Sequence, residues 1–127
     1  MRIEHVAVWT SDLERLRGFY ARFLGGVAGP RYENPARGFA SYFLSFDTGA
    51  RLEIMSGRDV APAGEAGARQ GFSHLAFSLG SREAVDRATE SLRGAGVPVV
   101  SGPRTTGDGY YESVVLDPDG NRIERAA

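Results

Sequence analysis

The sequence predicts an α+β domain built from two β-α-β-β-β modules, whose strands form a cupped, mostly antiparallel sheet. Two internal matches predict the duplication. Glu4-His5-Val6-Ala7-Val8 pairs with Ser73-His74-Leu75-Ala76-Phe77, and Gly49-Ala50-Arg51-Leu52-Glu53 pairs with Gly120-Asn121-Arg122-Ile123-Glu124. Both matches fall in the same order at nearly one offset, about 70 residues, which chance seldom produces. A third observation is that each half alternates strand-like, helix-like and strand-like patterns in the same sequence.

Module 1 spans about residues 1–56 and module 2 about 72–127, joined by a linker of about 57–71 that is rich in Gly, Ala and Pro. Residues 2–9 alternate as a half-buried strand. Ser11-Asp12-Leu13-Glu14 reads as a capping box, with Ser11 as the cap. Leu13, Leu16, Tyr20, Phe23 and Leu24 then recur at helical spacing, and Gly25-Gly26 ends the helix. In module 2, residues 72–79 alternate and Ser81 caps a helix. Ala84, Val85, Ala88 and Leu92 form its apolar stripe, and Gly94 ends it. Extended stretches follow at about 27–31, 39–46 and 50–55, and again at 97–101, 110–116 and 121–125. Asp47-Thr48-Gly49 and Asp117-Pro118-Asp119-Gly120 are hairpin turns.

Composition narrows the chemistry. The chain has 127 residues, 42% hydrophobic and 24% charged, with a net charge of −1. That suits one domain and gives no electrostatic reason to expect nucleic acid or an anionic membrane. No apolar run is long enough for a membrane span, and no leader pattern opens the chain, so a cytoplasmic location is expected. Cysteine is absent, which excludes thiol nucleophiles and thiolate metal sites. All 15 basic residues are arginine, which excludes lysine Schiff bases.

Histidine occurs twice, at His5 and His74, and both occupy the same slot of the repeat. Strand alternation puts Ile3, His5, Ala7 and Trp9 on one face, and Arg51, Glu53 and Met55 on one face of the strand ending module 1. In module 2, Phe72, His74 and Ala76 share a face, as do Arg122 and Glu124. The opposite, aliphatic faces suit coverage by helices. Two neutral imidazoles and two carboxylates on helix-free faces form an N₂O₂ set for one divalent ion, whether Zn, Ni, Co, Fe or Mn. Trp9 and Met55 share these faces and line a substrate pocket, Trp9 as a stacking surface. Tyr111 and Arg104 are further candidates, Arg104 for an anionic group. Glu112 is a candidate additional base. Adjacent Tyr110 and Tyr111 must point to opposite faces, so at most one enters the pocket.

Ile3-Glu4-His5-Val6-Ala7, Arg51-Leu52-Glu53-Ile54-Met55, Phe72-Ser73-His74-Leu75-Ala76-Phe77 and Asp117-Pro118-Asp119-Gly120-Asn121-Arg122-Ile123-Glu124 together resemble the glyoxalase / bleomycin-resistance / extradiol-dioxygenase (vicinal oxygen chelate) superfamily across the whole chain. Residues 101–112 resemble a subgroup of small bacterial glyoxalase I-like proteins. The resemblance implies that His5, Glu53, His74 and Glu124 hold one divalent metal. It also implies proton transfer by Glu124, with Glu53 opposite, through an enediolate-like intermediate on a small oxygen-chelating substrate. A homodimer is the implied assembly. Two other readings stay open: a drug- or metabolite-binding module of the bleomycin-resistance kind, and a metal-dependent antibiotic-modifying enzyme or dioxygenase. The bacterial glyoxalase I pattern carries arginine four residues after the first histidine and asparagine four residues after the first glutamate. Here these are Trp9 and Gly57, so a substrate other than the glutathione–methylglyoxal adduct is expected.

Overall fold

The computed structural model describes residues 1–62 and 70–127; the part of the predicted linker over 63–69 lies outside them. The chain divides into two compact units, Met1–Ala63 and Gly64–Ala127. In chain order the elements are β1 (His5–Trp9), α1 (Leu13–Leu24), β2 (Val27–Ala28), β3 (Tyr32–Asn34), β4 (Phe39–Ser45), β5 (Arg51–Ser56), β6 (His74–Ser78), α2 (Arg82–Gly94), β7 (Val99–Thr105), β8 (Tyr111–Leu116) and β9 (Arg122–Ala126).

Each unit has its own mixed sheet. The first is ordered β1-β5-β4-β2, with β3 also pairing with β4, and the second is ordered β6-β9-β8-β7. In both, the first and last strands of the unit run parallel and the other pairs are antiparallel. The duplication therefore extends to topology. The predicted stretch at 27–31 resolves into two short strands, because Gly29 and Pro30 interrupt it; both halves pair with β4. Pro103 sits in β7, an edge strand whose register slips beside it, where a missing N–H costs no central ladder bond.

The helices differ from expectation at their ends. The cap of α1 is Asp12, whose side chain accepts from the Arg15 N–H at 3.0 Å. Ser11 lies one residue too early for that bond, and the Thr10 hydroxyl accepts from the Asp12 N–H at 3.0 Å. Gly25, at φ +70°, closes α1 as expected. Ser81 caps α2, accepting from the Ala84 N–H at 3.2 Å. The helix continues through Gly94, however, and the left-handed residue beyond it is Gly96, at φ +77°. Gly94 needs no such conformation, so it does not end the helix.

Strand alternation decides which faces the helices cover. Leu13, Leu16, Phe19 and Tyr20 of α1 and Leu44, Leu52 and Ile54 of the sheet are buried. In the second unit Val85, Thr89, Leu92, Val115 and Ile123 are buried. Along β5 and β9 the buried residues are the even and odd neighbours of Glu53 and Glu124 respectively: Leu52 and Ile54, then Ile123 and Arg125. The glutamates thus lie on the faces away from the helices. A buried polar cluster interrupts the second core: Arg125 donates from Nη2 to Ser113 Oγ at 3.0 Å and to Thr89 Oγ1 at 3.2 Å. Among the described residues no helix is long and apolar enough to cross a membrane.

Candidate metal centre

Parallel pairing positions the two histidine–glutamate pairs identically. In the first unit His5 lies opposite Arg51 and Ala7 opposite Glu53; in the second His74 lies opposite Arg122 and Ala76 opposite Glu124. Each glutamate is therefore one same-face step along from its histidine, on the neighbouring strand. His5 Nε2 is 4.0 Å from Glu53 Oε2, and His74 Nε2 is 3.2 Å from Glu124 Oε2.

Both glutamates are largely withdrawn from water, with side chains 15% and 19% exposed. Among the described residues no arginine pairs with either carboxylate, in a chain that pairs Glu4, Glu14, Glu33, Glu90 and Glu112 with arginines. A half-buried carboxylate without a fixed countercharge is costly unless a cation joins it. Two ligand atoms about 2.1 Å from a shared ion stand about 3.0–3.4 Å apart at right-angle or tetrahedral geometry. The His74–Glu124 pair already meets that spacing, whereas the His5–Glu53 pair must close by several tenths of an ångström. The donor chemistry of both pairs fits a divalent metal. Among the described residues no group of three or more His, Asp or Glu side chains gathers at metal-binding distance; each unit brings together one histidine and one glutamate.

The histidines are oriented from behind. Glu4 Oε2 lies 2.5 Å from His5 Nδ1, and Ser73 Oγ lies 3.3 Å from His74 Nδ1. Such bonds hold Nδ1 and leave Nε2 to face the glutamate. Glu4 is in turn bonded by the Arg51 guanidinium, with Nε to Oε1 at 2.9 Å. The His5 and Arg51 bonds hold its carboxyl below the ordinary carboxylate range. Arg51 lies over the Phe43 ring, 4.2 Å from its centroid, and His5 meets the same ring edge-on at 5.3 Å. Strand alternation alone had put Glu4 on the other face from His5, so this support was missed. Phe43 was legible, since a turn centred on Thr48 sets Phe43 opposite Glu53.

The remaining candidates divide. Trp9 is half exposed on the His5 face, and Met55 lies beside it in register. Arg104 pairs across the ladder with Glu112, which shares the Glu124 face; its Nη2 is 3.5 Å from Glu112 Oε1. Each thus partly neutralises the other. Tyr111 is a correction. It shares the parity of Ser113 and lies on the α2 side, donating its hydroxyl to Asp86 Oδ1 at 2.7 Å with Arg82 over its ring. That bond and the burial of the hydroxyl raise its pKa above the ordinary phenol value, so it contributes nothing to the glutamate face. Sequence reading missed Tyr32, Arg37, Phe39 and Arg58, which line a cavity of about 720 Å³ beside Trp9. They come from a hairpin and a post-strand segment without a periodic signal.

A duplicated β-α-β-β-β chain presenting one histidine and one glutamate per module on its helix-free faces defines a paired-module protein of the glyoxalase type. The family model of the Glyoxalase/Bleomycin resistance protein/Dioxygenase superfamily matches residues 2–125, and the chain belongs to that superfamily. It is 30% identical to YqjT, an uncharacterized protein of Bacillus subtilis, over 98% of both chains. Among solved structures it resembles a glyoxylase/bleomycin resistance protein/dioxygenase domain from Frankia, with TM-score 0.84, 18% identity and coverage of 99% and 96% of the two chains. It also resembles glyoxalase I from Zea mays, with TM-score 0.81 and 21% identity; there 98% of this chain spans 44% of the maize chain.

Proposed function

We propose that His5, Glu53, His74 and Glu124 ligate one divalent metal ion, and that the chain is a glyoxalase I-like lyase or isomerase acting on a small oxygen-chelating substrate. The observation that carries this is the pair of half-buried glutamates, each with a histidine Nε2 as its neighbour and no arginine, at equivalent points of both units. A half-site of the first unit joins a half-site of the second from another copy of the chain, giving a homodimer with two sites.

When bound, the metal supplies Lewis acidity that polarises a chelated carbonyl. Glu124 would take the proton from a hydroxyl-bearing carbon beside that carbonyl and return it to the carbonyl carbon, while the hydroxyl proton passes to the former carbonyl oxygen, so that one C–H and one O–H bond break and one of each forms. The step is a net isomerisation in which no electron leaves the substrate. Its partner His74 has only a neutral hydroxyl behind Nδ1, whereas His5 is backed by the Glu4 carboxylate. Glu53 holds the opposite side. Met55 offers apolar surface next to Glu53 on the same face, and Trp9 extends it further along that face.

Subunit mixing tests both the ligand set and its assembly. With cobalt(II) as probe, the wild-type chain should bind about one ion per chain, and His5→Ala or His74→Ala alone should bind far less. A mixture of the two variants, unfolded and refolded together, forms heterodimers in which one of two sites is intact. It should therefore recover about a quarter of the wild-type sites. Wild-type stoichiometry in either single variant would overturn the ligand set. No recovery in the mixture would overturn the shared site. A protein that takes up no cobalt(II) yet binds aromatic ligands without turnover would return the sequestering reading.

A further inference from the structure

The cavity beside Trp9 belongs wholly to the first unit, and its lining combines flat apolar surface with unpaired positive charge. Trp9 and Phe39 meet edge-on with ring centroids 6.1 Å apart, and Tyr32 continues the row 6.0 Å from Phe39. Arg37, Arg58 and Asp59 supply the charge. Among the described residues no carboxylate pairs with Arg37 or Arg58, although ion pairing is common elsewhere in the chain.

Two glycines flank this wall. A Cβ on Gly57 would meet Trp9 Cζ3 at 3.4 Å and Val60 at 3.5 Å, ordinary van der Waals distances, so the indole lies directly over that backbone position. At Gly38 a Cβ would stand 2.4 Å from Arg58 Nε, and the residue takes φ +60°. Arg58 lies across that glycine, with Nη2 donating to the Pro35 carbonyl at 3.2 Å. One N–H is thereby used to aim the guanidinium and the others stay available. Trp9 is four residues along the strand from His5, about 13 Å at 3.3 Å per residue, on the same face.

The geometry points to this cavity as the binding site for the aryl, anionic end of the substrate: a flat ring on Trp9 and Phe39 and a carboxylate or similar anion on Arg58 and Arg37. The assignment rests on the reading of the His5 face as the reaction site and names its substrate class, an aromatic acid long enough to reach the metal ligands. Asp59 at the rim disfavours a dianion crowding the same cavity, so a single negative charge fits best.

Trp9 is the only tryptophan in the chain, so its fluorescence reports this site alone. The chelator-treated protein is titrated with phenylacetate, phenylacetamide and hexanoate, which separates this test from the metal. Phenylacetate should change the emission saturably. At low salt phenylacetamide should bind about three- to tenfold more weakly, a gap that salt narrows. Hexanoate, lacking the ring, should also bind more weakly. Arg58→Gln should erase the acid–amide difference while its thermal melt stays that of the wild type. Equal binding of acid and amide by the wild-type chain would overturn the anion assignment. Absence of a saturable signal up to about 10 mM would overturn the aryl site. Either result leaves the cobalt stoichiometry untouched, and loss of cobalt binding leaves this one untouched.

Discussion

Replacing Arg125 with methionine should stabilise the protein. Arg125 has no exposure to solvent, and among the described residues its Nε and Nη1 have no partner. Burial pushes the guanidinium down to about 10. That lowering from the ordinary guanidinium range is a penalty of about 3 kcal/mol on the charged form. Its compensation is two bonds to the hydroxyls of Thr89 and Ser113, about 1 kcal/mol each. Those hydroxyls are not orphaned by Arg125→Met, because Thr89 and Ser113 bond each other at 2.8 Å and Thr89 donates to the Val85 carbonyl at 2.6 Å. Methionine fills nearly the same volume with an apolar chain. The expected balance is a gain of about 1 kcal/mol, or about 4 °C in Tm for a chain of this length, read by urea denaturation and calorimetry at neutral pH. Arg125→Lys, which keeps the charge and loses the second hydroxyl contact, should fall below the wild type. A loss of 1 kcal/mol or more in Arg125→Met would refute the reasoning and show that the guanidinium is better compensated than its two hydroxyl bonds account for.

Four other outcomes are expected. Asp12→Ala removes the cap of α1 and should cost about 1 kcal/mol in denaturant titrations, while Ser11→Ala should cost little. The Tyr42 hydroxyl and Arg17 hold the Glu14 carboxyl below its ordinary value. Its contribution is therefore full above the ordinary carboxylate range and lost as pH falls through the lowered folded value; the stability gap to Glu14→Gln should be present at neutral pH and close in acid. Glu124→Gln should lower turnover on any identified substrate by orders of magnitude while keeping most of the bound cobalt, since an amide oxygen still ligates but is no base; near-normal turnover would remove Glu124 from proton transfer. Glu4→Ala should weaken cobalt binding about 10- to 100-fold, and Ser73→Ala by less, because a carboxylate supports its histidine more strongly than a hydroxyl does.

Much of this was legible because β-structure has a period of two. Once His5 and Glu53, or His74 and Glu124, were read as strand residues, alternation alone separated them from Val6, Leu52, Leu75 and Ile123, and the structure keeps those faces. The same rule placed Tyr110 and Tyr111 on opposite sides, but it could not say which of them turned toward α2. That depends on the β8–β9 register, through Ser113 and Arg125. Arg125 itself was invisible as a core residue, because an arginine in a terminal strand is ordinarily solvated and only the three-residue cluster with Thr89 and Ser113 gives it a place. Capping was misassigned by one residue because Ser11 and Asp12 are both good caps, and the choice was made by the Thr10 hydroxyl, which takes the Asp12 N–H. Of the cavity beside Trp9 only Trp9 itself was legible, since its arginines come from a turn at 34–38 and a segment after β5.

Duplication explains why the two half-sites share a geometry, and divergence explains why they need not do the same work. The parallel first-to-last strand pairing gives each histidine and glutamate the same relative position in both units, and that position is backbone geometry, insensitive to side-chain change. What surrounds it has drifted. His5 is backed by a carboxylate that Arg51 in turn anchors, and an aromatic ring abuts both. His74 is backed by one serine hydroxyl. A histidine bonded to a carboxylate is the more basic ligand and the more firmly oriented one. The first unit therefore has the architecture of an anchor, and it also holds the aromatic cavity. The second unit has the more lightly backed histidine, with Glu124 Oε2 3.2 Å from its Nε2. On the function proposed above, this difference would let the histidine–glutamate pair of the first unit fix the ion while that of the second moves the proton.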